Sequence, residues 1–114
     1  MAVFTVQKSA LFVRQWRDYA QGYRDRAGVN IAERFIVAVE DALSFIRQSP
    51  YACPIYDTGE GDEDLRTYQF RKWNLHGFPH MVLFRLGDGA SIFVEVLYAQ
   101  RMDIPSRLAA DLEK

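Results

Sequence analysis

The sequence has a single cysteine, no long apolar run and almost no net charge, and each shortage removes a class of protein. Cys53 has no internal partner, so no disulfide can hold the fold together. Crossing a bilayer takes about 20 consecutive, mostly apolar residues, and no stretch of the chain approaches that. Fourteen Lys and Arg stand against fifteen Asp and Glu, so no global positive field favours anionic lipid or nucleic acid, and direct nucleic-acid binding is not expected. The opening Met1-Ala2-Val3-Phe4-Thr5 lacks the cationic region and apolar run of a secretion signal, which predicts a cytoplasmic protein. The acid-rich stretch Asp57-Thr58-Gly59-Glu60-Gly61 places its glycine too early for a calcium loop and reads as a solvated connection. No metal and no cofactor are expected.

What is present is enough for one packed unit. The 114 residues, 49% of them hydrophobic, suit a single domain over 1–114. Residues 3–6 are a short β-prone run, followed by Ser9 as a helix N-cap. Phe12, Trp16, Tyr19 and Tyr23 recur at four, three and four, one stripe of a helix that Gly28 ends. A second helix carries Ile31, Phe35, Ala38, Val39, Ala42 and Ile46, with Asn30 and Glu33 at capping-box spacing and Pro50 closing it. Joined by so few residues, the two helices form an antiparallel hairpin. Alternation of period two then marks strands at 67–75, 80–86 and 91–99. In the last of these Ile92, Val94, Val96 and Tyr98 share one face, Phe93, Glu95 and Leu97 the other, which makes it a central strand.

The predicted fold class is therefore α+β in βααβββ order. A four-stranded antiparallel sheet is covered by the N-terminal two-helix hairpin, and a short helical tail follows Ile104, with Leu108 and Leu112 four apart. The first strand leaves for a helical hairpin that returns to the same end of the sheet, so it is placed antiparallel to the last strand.

Four pieces of sequence carry a resemblance: the Leu65-Arg66-Thr67-Tyr68 start of the second strand, the run Phe78-Pro79-His80-Met81-Val82-Leu83-Phe84-Arg85, the close Val96-Leu97-Tyr98-Ala99-Gln100-Arg101-Met102-Asp103-Ile104, and the element order itself. Together they resemble the RelE/ParE toxin superfamily, and its ParE branch more than its RelE branch. The resemblance implies the toxin of a type II toxin–antitoxin module, a class associated with plasmid stabilisation, neutralised by a small DNA-binding antitoxin. ParE-like members inhibit DNA gyrase by binding it, whereas RelE-like members are endoribonucleases that cut messenger RNA on the ribosome. A non-toxic binding module on the same scaffold is a third class, because fold alone does not fix function.

The residues discriminate between these branches. Metal-free RNA cleavage needs a base, an acid and cations against the phosphorane. Arg71, Lys72, Arg85 and Arg101 can supply the cations, with Tyr98, His80 and His76 as the proton carriers within the sheet region. The tail where RelE-like nucleases carry tyrosine or histidine offers only Ser106, Arg107 and Asp111, which favours a toxin that works by binding. Under that reading Arg85, Arg101 and Asp103 contact the target. The antitoxin lies across Trp16, Tyr19 and Tyr23 and adds acidic contacts to Arg71 and Arg85. The plain alternatives are a cross-strand pair between Arg85 and Glu95, an inert thiol at Cys53, a surface position for His80 at the start of its strand, and a core-facing Trp16 stripe.

Overall fold

The computed structural model describes residues 4–56, 69–100 and 104–112. In chain order the elements are β1 (Thr5–Lys8), α1 (Ala10–Ala27), α2 (Val29–Gln48), a 3₁₀ turn (Pro50–Ala52), β2 (Arg71–Asn74), β3 (His80–Leu86), β4 (Ser91–Ala99) and α3 (Ile104–Leu112). The expected α+β class and βααβββ order are borne out. The second strand begins later than its alternation suggests, and positions 67 and 68 lie outside the described residues together with the acid-rich connection.

Local chemistry accounts for the helix ends. Ser9 is the N-cap of α1, its Oγ accepting from the Phe12 N–H at 2.9 Å. Gly28, at φ 94°, separates the two helices alone: its N–H donates to the Arg24 carbonyl, and its own carbonyl accepts from Ala32. A side chain is strained at that φ, which is why glycine joins the hairpin. The helix therefore starts at Val29, and Asn30 lies inside it rather than capping it. Pro50 closes α2, whose last helical residue is Gln48.

The sheet order is β1-β4-β3-β2, so β3 and β4 are central. β2, β3 and β4 pair antiparallel, but β1 runs parallel to β4, with Val6 beside Ile92 and Lys8 beside Val94. The sheet is mixed, and the antiparallel placement of the first strand is corrected. Residues 54–56 run alongside the start of β2 in the opposite direction: the Lys72 N–H donates to the Pro54 carbonyl at 3.0 Å, and the Tyr56 N–H to the Phe70 carbonyl at 2.7 Å. That additional pass returns the chain to the other end of the sheet before β2 begins, and it inverts a count of reversals made from the helices alone.

A second correction lies inside β4. Leu83 pairs with Val96 but Phe84 pairs with Val94, leaving Glu95 as the extra residue of a β-bulge. The bulge switches faces. Ile92 and Val94 pack under the helical hairpin with Phe12, Phe35, Val39, Ile46, Val82 and Phe84. Val96 and Tyr98 instead join Phe70, Met81, Leu83 and Leu108 on the opposite face, which α3 covers. The four residues assigned to one face are thus divided two and two. Both faces of the sheet are buried, and each fully buried Phe, Leu, Ile or Val adds about 1.5–3 kcal/mol relative to exposure.

A bulge breaks the ladder and leaves backbone groups unpaired. Here Ser9 and α1 take up two of them: Ser9 Oγ donates to the Glu95 carbonyl at 2.6 Å and Gln15 Oε1 accepts from the Leu97 N–H at 2.8 Å, while the Ser9 N–H continues the β1 ladder to the Val94 carbonyl at 2.9 Å. Replacing Ser9 with Ala removes both the cap of α1 and a donor to the bulge. Chemical denaturation should show a loss of about 1–2 kcal/mol; a change within error would mean that water replaces the hydroxyl without cost.

Candidate functional site

The candidate residues sit on both faces of the sheet and at its buried centre. Arg71 pairs with Phe84 and so belongs to the hairpin face, whereas Lys72 pairs with Leu83 and belongs, with Arg85, to the α3 face. Arg71 Nη1 donates to the Cys53 carbonyl at 2.7 Å, and its guanidinium lies 5.5 Å from the Tyr51 ring centre. Lys72 Nζ stands 6.0 Å from the Tyr56 ring. Arg85 Nε donates to Glu95 Oε1 at 3.0 Å, with its guanidinium 4.5 Å from the Phe93 ring. The cross-strand pair expected as the plain reading of Arg85 is therefore present. Arg85 pairs with Phe93, two residues before Glu95 on the same strand, and both charged side chains keep part of their surface open.

Two of the three proton carriers of the nuclease reading are inside the protein. Tyr98 is fully buried and donates its hydroxyl to Asp111 Oδ2 at 2.5 Å, the same oxygen that Arg107 approaches at 3.5 Å. Burial first, and then the bond to the Asp111 carboxylate and its charge, push the phenol far above its ordinary range. His80 is only 4% exposed, which corrects its placement at the surface. Its ring is 4.6 Å from Tyr19, 5.1 Å from Phe35 and 5.8 Å from Tyr23, and its Nδ1 has no hydrogen-bond partner. Removal from water lowers its pKa, so the imidazole is held neutral. His76, by contrast, is exposed between β2 and β3.

The Phe12–Tyr23 stripe packs inward. Tyr19 and Tyr23 stack edge-on or tilted against Phe35 and His80, and Tyr23 also meets Phe78. Burial raises the Tyr19 pKa. Trp16 is half-buried against the same core, with its indole Nε1 unpartnered. Cys53 is buried, its thiol pushed up to about 11 by desolvation, in keeping with an inert thiol. Arg101 and Asp103 lie outside the described residues, and the side chain of Ser106 is not described.

Among the described residues a groove of about 1130 Å³ lies open between α2 and β2, lined by Val37 and Ala38 on the helix and by Trp73, Leu75 and Phe78 below, with Glu33, Arg34, Asp41 and His76 also lining it. Trp73 forms its floor by stacking on Phe45 at 4.1 Å. Among the described residues no cluster of three or more His, Cys, Asp or Glu could hold a metal ion, and no helix is long and apolar enough to cross a membrane. Sequence reasoning named Asp111 only as a tail residue and gave it no partner. The signal was its spacing of four from Arg107, beside the Leu108–Leu112 repeat that seats the helix.

No protein-family model matches the chain, and no curated protein matches its sequence. Among solved structures, it is similar to a chain of the "Chromosomal ParDE TA system from P. aeruginosa", with a TM-score of 0.66 and 12% sequence identity over 85% of this chain and 96% of that one. The fold of that toxin–antitoxin structure is therefore the fold of this chain.

Two outcomes follow from the buried groups. The unfolded chain binds a proton at His80 near the ordinary histidine pKa of about 6.5, and the folded chain binds it only at lower pH. Stability at His80 is full above that pH and is lost as pH falls toward the lowered folded value. The difference between wild type and His80→Phe in urea titrations should change between about pH 7 and pH 5, and a constant difference would contradict the buried, neutral imidazole. Tyr98→Phe leaves Asp111 without its hydroxyl donor and should cost about 1–3 kcal/mol, with little further loss when Asp111→Ala is added, because the two share one interaction.

Proposed function

We propose that the chain is the toxin of a ParDE-like type II toxin–antitoxin module that inhibits DNA gyrase by binding it, rather than an RNA-cutting enzyme. The fold shared with the ParDE system supports the module. The observation that carries the choice of mechanism is the burial of Tyr98 and His80: one hydroxyl is committed to Asp111, and one imidazole is enclosed by aromatic rings. A general acid or base must reach the proton it moves; neither group opens to a substrate-sized space, which leaves the exposed His76 as the one reachable carrier of the three. Nor do the cations converge, since Arg71 serves the opposite face from Lys72 and Arg85.

The antitoxin is a small DNA-binding protein whose amphipathic segment covers apolar surface on the toxin. Because Tyr19 and Tyr23 turn inward, the open α2–β2 groove over Trp73 is the receptor assigned to that segment, and Arg85 supplies a partly open cation at the sheet for target or antitoxin. Arg101 and Asp103 retain their target-binding assignment from the family resemblance.

Purified gyrase incubated with the protein should lose supercoiling activity or accumulate cleaved DNA. Normal supercoiling at excess protein, together with site-specific cuts in transcripts mapped by primer extension, would instead establish the endoribonuclease. The double variant Arg85→Ala/Arg101→Ala should weaken gyrase inhibition by about tenfold or more, the scale of one lost charged contact. Undiminished inhibition would remove both residues from the target site.

A further inference from the structure

A second groove, of about 360 Å³, lies between α1 and α2 on the outer surface of the hairpin, away from the groove over Trp73. Its apolar walls are Val13, Trp16 and Ala20 from α1 and Ile36 from α2. Ile36 is 37% exposed and Val29, one turn before Ala32 on the same helix, is 50% exposed, although both are large apolar side chains. The charges beside the groove are sorted by helix. On α1, Val13, Arg17, Ala20 and Arg24 follow at four, three and four, so two arginines alternate with apolar residues along one rim. On α2, Glu33, Ile36 and Glu40 follow at three and four, an apolar residue between two exposed acids.

None of these four charges has an ion-pair partner among the described residues. Among the described residues the ion pairs are Arg85–Glu95 and Arg107–Asp111, and the nearby Asp25 is taken by the Gln21 amide at 2.9 Å. A partner of one charge sign would match one rim and oppose the other. A copy of the same hairpin matches both: a two-fold axis along the groove lays α1 of each copy over α2 of the other, and sets Arg17 and Arg24 against Glu33 and Glu40 twice. The apolar residues then form the centre of a four-helix layer, with the charged rims outside it.

We propose that this groove is a homodimer interface, occupied by the hairpin of a second copy of the chain, with Ile36 at its centre. The interface does not depend on the gyrase or antitoxin reading, and it meets the groove over Trp73 only at Glu33, which lines that groove's edge.

Sedimentation equilibrium on the full chain alone tests it. Expected is a monomer–dimer equilibrium that weakens as salt rises, and that Ile36→Glu weakens by about tenfold or more. The charge test uses exposed residues only. Arg17→Glu/Arg24→Glu repels itself, as does Glu33→Arg/Glu40→Arg, so each double variant should sediment as a monomer while its circular dichroism remains that of the wild type. Mixed in equal amounts they should recover association, because each rim then meets its opposite. A wild-type chain that stays monomeric throughout, or a dimer that survives Ile36→Glu and both charge variants, would overturn the proposal.

Discussion

The contact between the N-terminal turn of α1 and the bulge at Glu95 is the constraint on which the rest of the structure rests. A sheet whose central strand keeps strict alternation offers one continuous apolar face per side. The extra residue in β4 instead moves the apolar register across the sheet halfway along, so that one end of the strand feeds the hairpin core and the other the core beneath α3. The switch leaves a carbonyl at Glu95 and an N–H at Leu97 in need of partners. Both are supplied by α1, from Ser9 and Gln15. The helix is thereby fixed in height and rotation above the sheet, and β1, directly before Ser9, is brought alongside β4 in the parallel sense.

From that placement the aromatic centre follows. With α1 anchored at Ser9 and Gln15, the stripe continuing through Tyr19 and Tyr23 passes over the start of β3, where it closes on His80 together with Phe35 and Phe78. A histidine there has no proton acceptor or donor beside Nδ1, so the neutral ring serves packing rather than proton transfer. The same anchoring sets α2 along β2, where Phe45 stacks on Trp73 and the open groove begins. Of the candidate groups on the sheet, Tyr98 and His80 are enclosed and Arg85 is paired with Glu95, while His76 stays exposed beside the open groove.

Much of this was legible in the residues. The strands at 80–86 and 91–99 were bounded by Pro79 and by Gly87-Asp88-Gly89, and the helices by Ser9, Gly28 and Pro50, because such punctuation acts through the local backbone. What was hidden depends on contacts distant in sequence. A bulge at a glutamate has no local signature, and its detection needs the partner's register. The direction of β1 depends on an extra pass along β2 that alternation does not reveal. Asn30 and Glu33 had capping spacing, but Gly28 had already turned the chain. At the candidate site, the pairing of Arg85 with Glu95 was readable from strand adjacency, whereas the enclosure of His80 and the bond between Tyr98 and Asp111 required knowing which helix covers which face.

That last bond bears on how a nine-residue helix is positioned at all. Leu108 and Leu112 alone would let α3 rotate or slide on an apolar sheet with little change in energy, since hydrophobic contact is not directional. A carboxylate bonded to one donor on the sheet tolerates no such freedom, since Arg107 turns with the helix: a shift of one residue moves Asp111 about 100° around the helix, away from Tyr98. The tyrosine thus acts as an index pin, selecting a single setting of the helix, and the segment that follows the β3–β4 hairpin is held by geometry rather than by strength of adhesion.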